Sequence, residues 1–457
     1  MSDSLDRPPR RRGGLLAALG RPARVIAVAF AITIALGTGL LSLPIAAESG
    51  HGAGFVTALF TSTSAVSVTG LSVVDTPSYW STFGEITILV LMQIGGIGVM
   101  TLASMLAVLM SPRLRLRFQL TVQAETSSLT LGEIRRVVTG VVKLSFVFEA
   151  VFALVIMLRL VFGYDRAVGP AAYESVFHSV SAFNNGGFAL YSDSLTQYVS
   201  DTWICLPIAL AVIIGSLGFP VLLELRRELF KPHLWSLHTK ITLGVSGILL
   251  IVGPVLVTAM EWTNSATLGN LSVPVRLLAG IFHGVMPRSG GLNTIEIGAM
   301  NPESLVVMDG LMFIGGGSAS TAGGIKVTTF AILALVIAAE IRGEPDVKAL
   351  NRRIPTAVQR QALTVALISV GVIAVSTLVL MSLTNLPLDF VLFDTISAFA
   401  TCGLSTGAVA QMPAAAHVIL SFLMFAGRLG PITLATALAT RERTRRYRLP
   451  EERPIVG

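Results

Sequence analysis

The chain has 457 residues, 53% of them hydrophobic and only 13% charged, with a formal net charge of +7. A soluble globule carries charge on about a quarter of its residues, so this composition excludes one and places the chain in lipid. The positive excess leaves two readings, nucleic-acid binding or membrane topology, and its placement along the chain decides between them.

Residues 1–22 form a basic segment rich in Arg and Pro. The apolar stretch behind it, near 23–45, is longer than the ~7–15 residues of a signal-peptide apolar region, and no small-residue cleavage site closes it, so it reads as a first span. Further long apolar segments run near 83–110, 137–162, 203–225, 239–260, 304–339, 362–384 and 414–439. Each suffices for the ~30 Å hydrocarbon core that about 20 helical residues cross, which predicts eight spanning helices. Between paired spans lie shorter apolar pieces, near 54–66, 172–183, 275–286 and 388–400. They are too short to cross and fit half-helices that enter and leave by one face.

Of the 33 basic residues, 26 fall ahead of the first span (Arg7 to Arg24), in the second, fourth and sixth connections (around Arg115, Arg227 and Arg352) and in the tail (Arg441 to Arg453). The opposite connections hold little beyond Arg166 and Arg276. The positive-inside rule therefore puts both termini in the cytoplasm, and no basic face remains for nucleic acid. Cys205 lies in an apolar segment and Cys402 beside a turn glycine, so neither a disulfide scaffold nor a thiolate metal site is expected.

Each short apolar piece runs into a glycine-bearing turn, and the turns recur about every 110 residues. They are Val68-Thr69-Gly70-Leu71, Asn185-Gly186-Gly187-Phe188, Ser289-Gly290-Gly291-Leu292 and Thr401-Cys402-Gly403-Leu404. Phe60, Phe177 and Phe393 precede their turn glycine by ten residues, and Phe282 precedes Gly291 by nine. The second span of each unit carries another glycine cluster, at Gly95-Gly96-Ile97-Gly98, Gly215-Ser216-Leu217-Gly218, Gly315-Gly316-Gly317 and Gly427-Arg428-Leu429-Gly430. For Gly95, Gly96, Gly215 and Gly218 close helix packing is the expected role. The expected fold class is an all-α polytopic membrane protein of four tandem units, each span, pore half-helix, span, in pseudo-fourfold arrangement around one ion pore. The units take residues 23–111, 112–231, 232–345 and 346–440, and a basic tail, 441–457, follows.

Glycine in such turns has a physical reason. A dehydrated cation has to be held by oxygen, and in potassium-type filters the oxygens are backbone carbonyls of an extended turn. Aiming successive carbonyls one way demands backbone angles that glycine tolerates. Half-helices entering from outside also point their partly negative C-terminal ends at the axis, which favours a cation.

Thr61-Ser62-Thr63-Ser64-Ala65-Val66-Ser67-Val68-Thr69-Gly70-Leu71-Ser72, Ser181-Ala182-Phe183-Asn184-Asn185-Gly186-Gly187-Phe188 and the run from Gly315 to Lys326 carry a resemblance. The chain resembles the KtrB/TrkH/HKT superfamily of potassium transporters over nearly its whole length, and eight spans without an extra N-terminal pair make it most similar to KtrB. The resemblance implies a selectivity filter of Val68, Thr69, Gly70, Asn185, Gly186, Gly187, Ser289, Gly290, Gly291, Thr401, Cys402 and Gly403, whose carbonyls coordinate K+. It implies a gate beneath the filter in Gly315, Gly316, Gly317, Ser318, Ala319, Ser320, Thr321, Ala322, Gly323 and Gly324, faced by Arg428. About ten small and polar residues in a row cannot continue a lipid-facing helix, which points the same way. Lys326 closes this run either as part of the gate or as a helix-end lysine reaching the cytoplasmic interface. Gly186, Ser289-Gly290 and Cys402 depart from the family's usual residues but keep the carbonyls, which leaves the degree of selectivity open while Gly70 favours potassium.

The resemblance further implies a homodimer in the bacterial inner membrane without enzymatic activity or organic cofactor, with sodium left open as a stimulating ion. It implies a cytosolic nucleotide-binding regulatory subunit, a KtrA/TrkA-like ring, docked on the basic inner face. An inside-negative potential is worth ~2.3 kcal/mol per charge per 100 mV, so about 150 mV sustains a gradient on the order of 300-fold without an ATPase. Ser320 to Lys326 lacks the spacing of a phosphate-binding loop. His178, His283 and Arg288 are expected to brace the filter or satisfy half-helix ends rather than bind ions, and Asp75, Asp193, Glu296 and Glu303 to lie near its outer mouth. The rival from another class is an alternating-access carrier for another cation or a small organic solute, whose fold normally shows two repeats.

Overall fold

The structure is a computed structural model and describes residues 22–109 and 128–430. The expected basic segments 1–22 and 441–457, Arg113, Arg115 and Arg117, and the boundary at 111/112 lie outside these residues, apart from Pro22. Fourteen helices carry the argument. They are α1 (Pro22–Leu41), α2 (Phe55–Ser67), α3 (Thr82–Leu109), α4 (Ser128–Tyr164), α5 (Val168–Asn184), α6 (Thr202–Leu217) and α7 (Phe219–Glu228). The others are α8 (Leu237–Glu261), α9 (Val273–Val285), α10 (Pro302–Phe313), α11 (Val327–Ile341), α12 (Thr356–Leu383), α13 (Leu388–Ala400) and α14 (Ala414–Leu429). Among the described residues the only sheet is an antiparallel pair, Lys348–Ala349 with Arg352–Arg353.

Runs of Leu, Ile, Val and Ala propagate these helices, and the starts follow local chemistry. Asp201 caps α6 by accepting the Trp203 N–H at 2.8 Å, and Ser236 caps α8 by accepting that of Thr239 at 3.3 Å. Proline in the first turn opens α9 and α10, where its missing N–H costs nothing.

Four helices, α3, α4, α8 and α12, are each long and apolar enough to cross a membrane. The expected continuous span at 203–225 is instead two helices, α6 and α7, meeting at 99°. The cause is local: Gly218 takes φ 93 and ψ 143, and Pro220 follows without an N–H to donate. The 304–339 segment is likewise divided into α10 and α11 by a loop over residues 314–326. α1 and α14 are shorter apolar helices, and the 414–439 segment is described only to residue 430.

The short helices α2, α5, α9 and α13 are the innermost elements. Their repeated phenylalanines Phe60, Phe177, Phe282 and Phe393 are all fully buried. Each short helix packs against the helix before it and also against the second span helix of the preceding unit: α5 against α3, α9 against α6, α13 against α10 and α2 against α14. The last pairing joins the end of the chain to its beginning, so the contacts form a closed cycle. Within three of the units each short helix also packs closely on its own second span, since a Cβ at Gly95, Gly215 or Gly427 would strike the carbonyl of Val66, Phe183 or Phe399, the same place in three short helices.

Gly218→Ala should destabilise the fold, because its backbone region costs any other residue about 1–3 kcal/mol and the new methyl would meet the Ser318 carbonyl at 2.5 Å. Thermal unfolding in detergent checks this against Gly39→Ala, whose Cβ meets nothing within 4 Å and which should leave the melting temperature unchanged or slightly raised.

Candidate functional site

Three short helices end alike. Val68, Asn185 and Thr401 take left-handed C-cap conformations, with φ of 55, 62 and 46. Behind each, the next N–H reaches back five residues, from Thr69 to the Ser64 carbonyl at 2.8 Å, from Gly186 to Ser181 at 2.5 Å and from Cys402 to Ser397 at 2.9 Å. This is the paired-bond helix ending normally made by glycine. In α9, Pro287 lacks an N–H and the helix stops earlier, but Ser289 still turns left-handed at φ 80. In every unit the left-handed residue stands two positions before a glycine of positive φ, namely Gly70, Gly187, Gly291 and Gly403.

These four glycines meet. A Cβ on Gly70 would lie 2.6 Å from Gly187 Cα and 2.7 Å from the Gly186 oxygen. One on Gly291 would lie 2.6 Å from both Gly187 Cα and the Cys402 oxygen, and one on Gly403 would strike the Thr69 oxygen and lie 3.2 Å from Gly291 Cα. Side chains are therefore excluded by neighbouring main chain rather than by movable groups. Among the described residues, no hydrogen bond reaches the carbonyls of Val68, Thr69, Asn185, Gly186, Ser289, Gly290 or Cys402, and that of Thr401 accepts one from Ser289 Oγ at 2.7 Å. A vestibule of about 440 Å³ is bordered by all four glycines and by Asp75, Asp193 and Glu296. Glu303, expected beside them, is exposed on the first turn of α10 and does not line it.

Side chains of the short helices fix the outgoing strands. Ser64 and Ser397 accept the N–H of Gly70 and Gly403 at 3.0 and 3.1 Å, and Ser181 donates to the Phe188 carbonyl at 2.8 Å. His178 Nε2 accepts the Leu190 N–H at 3.3 Å and His283 Nε2 that of Thr294 at 3.4 Å, each ring holding a carbonyl four residues back through Nδ1. Asp394 does the same in the fourth unit, accepting the Thr406 N–H at 3.1 Å. Arg288 braces the third turn by donating to Ser246 O and Oγ at 3.2 and 3.1 Å. Asp394 was absent from the sequence expectations although it follows Phe393 as His178 follows Phe177 and His283 follows Phe282.

The loop over 314–326 holds all of Gly315 to Gly324 and lies against the ring. A Cβ at Gly323 would strike Thr401 Oγ1 and the Ala400 carbonyl, and the Gly323 N–H donates to Ser289 Oγ at 3.2 Å. The loop also pairs with the break in the second unit: Gly317 N–H to Ser216 O at 2.7 Å, Thr321 N–H to Gly215 O at 3.3 Å and Phe219 N–H to Ala319 O at 3.1 Å. Buried Arg428 donates to the Thr321 carbonyl and, at 3.4 Å, to that of Gly95. Lys326 turns back into the loop, its Nζ donating to the carbonyls of Ala322 at 2.5 Å and Gly323 at 3.4 Å. Two cationic side chains thus converge on one loop next to the ring.

Residues 22–446 match the family model described as TrkH, cation transport protein. The chain is 36% identical over 441 residues to the Ktr system potassium uptake protein B of Bacillus subtilis, covering 95% of this chain and 97% of that protein. It is equally 36% identical over 441 residues to the Ktr system potassium uptake protein B of Vibrio alginolyticus, with 96% of both chains covered. It is 31% identical over 445 residues to the potassium/sodium uptake protein NtpJ of Enterococcus hirae, covering 95% and 97%. Among solved structures, the potassium transporter TrkH from Vibrio parahaemolyticus shares the fold with a TM-score of 0.73, over 94% of this chain and 87% of that one, at 18% identity.

Gly403→Ala would drive a methyl into the Thr69 carbonyl. If the four turns hold an alkali cation, the parent protein should melt at higher temperature as potassium is added, since a ligand of the native state stabilises it by mass action. Gly403→Ala should abolish that potassium-dependent rise, measured by thermal unfolding across a potassium series at constant ionic strength.

Proposed function

The chain belongs to the TrkH/KtrB family of cation transport proteins, and from that premise we propose that it is a gated potassium-uptake pathway whose selectivity filter is the ring of glycine turns. What carries the reading is the set of carbonyls at the ring that accept no hydrogen bond among the described residues. In a membrane protein irregular backbone is tolerated only when buried or lining a cavity, and unpaired carbonyls at depth are costly unless something replaces the missing donor. A cation stripped of its water does so. Val68, Thr69, Asn185, Gly186, Ser289, Gly290, Thr401 and Cys402 supply the oxygens in this scheme, with Gly70, Gly187, Gly291 and Gly403 giving the backbone freedom to present them.

The broader arrangement follows from the same proposal. Four units contribute eight spans in a pseudo-fourfold ring, counting α6 with α7 and α10 with α11 as one broken span each, with both termini cytoplasmic in a bacterial inner membrane. The C-terminal ends of α2, α5, α9 and α13 then place partial negative charge around the ion. Asp75, Asp193 and Glu296 concentrate cations at the outer vestibule. The loop from Gly315 to Gly324 is the gate, and Arg428 holds it closed through Thr321 while opposing a cation below the ring. The membrane potential drives uptake. Regulation comes from a cytosolic nucleotide-binding ring bound to a dimer of this chain.

Expression in a cell lacking potassium uptake should restore growth at low potassium, and a well-expressed protein that fails to do so refutes the reading. Arg428→Ala, and separately deletion of Ser318 to Thr321, should raise rubidium flux in reconstituted vesicles several-fold, since each removes a contact holding the loop at ~1.4 kcal/mol per tenfold. Unchanged or lower flux in both would refute the gate assignment while leaving the filter standing.

A further inference from the structure

Behind the second turn lies an acid without a cationic partner. Glu149 on α4 is 4% exposed, and among the described residues it forms no salt bridge. Among the described residues its carboxylate is bonded by amides alone. Gln93 Nε2, on α3, donates to both oxygens at 2.9 Å, and Asn184 Nδ2 donates to Oε1 at 3.0 Å. The same Asn184 amide donates to Gln93 Oε1 at 2.8 Å, which closes a triangle between three helices. An ionisable group at such depth is costly and is expected to serve a function.

Asn184 is the last residue of α5, and the next residue is Asn185, whose left-handed backbone begins the second turn of the ring. An ionised carboxylate only accepts, so it dictates which way the amides of both Gln93 and Asn184 face. An apolar side chain of equal size would fill the space at lower cost but would leave those amides free to turn. The contact is also tight one turn further along α3, where a Cβ on Gly96 would strike the Asn184 side chain.

We propose that Glu149 is a positioning residue for ion selection: with Gln93 it locks Asn184, and through it the placement of the Asn185 and Gly186 carbonyls. This deepens the reading of the ring as a potassium filter and rests on it.

The test compares potassium and sodium fluxes of reconstituted full-length protein, parent and variants side by side. Glu149→Gln should lower the potassium-to-sodium flux ratio by about tenfold, the scale of one charge-assisted hydrogen bond, while the protein still folds. The double variant Gln93→Glu with Glu149→Gln keeps one carboxylate between two amides and should restore the ratio, which a loss of general stability would not do. Gln93→Leu removes the link from α3 and carries the same expectation as Glu149→Gln should that variant not fold. Single variants as selective as the parent, or a folded double variant that stays unselective, overturn the role of Glu149. A parent without potassium preference overturns the filter reading itself, and this role with it.

Discussion

The demand on which the rest of this structure depends is to hold main-chain oxygens together without hydrogen atoms to bond them. Each unpaired polar group in an apolar setting costs roughly 1–3 kcal/mol even after relaxation. Left-handed conformations at Val68 and Thr401, both β-branched, add strain of about 1–3 kcal/mol each. The surroundings supply the opposing stabilisation. Buried phenylalanines anchor the four short helices, serines and histidines pin the strands that leave them, and span glycines let the helices close in until carbonyls lie against bare Cα atoms.

The ring and the loop beneath it are not independent. Ser289 Oγ donates to the Thr401 carbonyl and accepts the Gly323 N–H, so one hydroxyl joins the third turn, the fourth turn and the loop. Any displacement of Gly323 therefore changes the environment of a ring carbonyl directly. The same loop touches the second unit at Gly215 to Phe219 and the fourth at Arg428, which makes it an element shared by three of the four units.

Much of this was legible in the chain because its signals are local. The half-helices follow from apolar runs too short to cross, and the turns from glycines in a common register. The bend between α6 and α7 was also written locally, in Gly218-Phe219-Pro220, but hydropathy alone runs straight across it. The αL conformations of Val68 and Thr401 were not legible, since residues of that kind avoid such angles unless tertiary packing imposes them. Equally hidden were the bonds among positions 289, 323 and 401, which adjoin only after the third and fourth units have assembled. Asp394 lay between the two cases: its place after Phe393 repeats that of the histidines, but an acid among histidines hides the equivalence until the Thr406 bond reveals it.

The number of bonds holding the loop sets how it is able to respond. Among the described residues, six tie it to elements other than its own flanking helices: Gly317 to Ser216, Thr321 N to Gly215, Phe219 to Ala319, Thr321 Oγ1 to Phe183, Gly323 to Ser289, and Arg428 to Thr321. At a net worth of about 0.5–1.5 kcal/mol each they total roughly 3–9 kcal/mol. Turning a two-state equilibrium from 1:99 to 99:1 takes ~5.5 kcal/mol of differential binding. The two quantities are of the same order, so the bonds between the loop and other units lie within the range that differential binding is able to offset. A fully helical segment in its place would be held by its own backbone ladder, which no contact from outside the helix could loosen at comparable cost. Glycine and serine in this stretch thus do more than bring the chain close to the ring: they leave its polar groups to be satisfied by other units, and so open to competition.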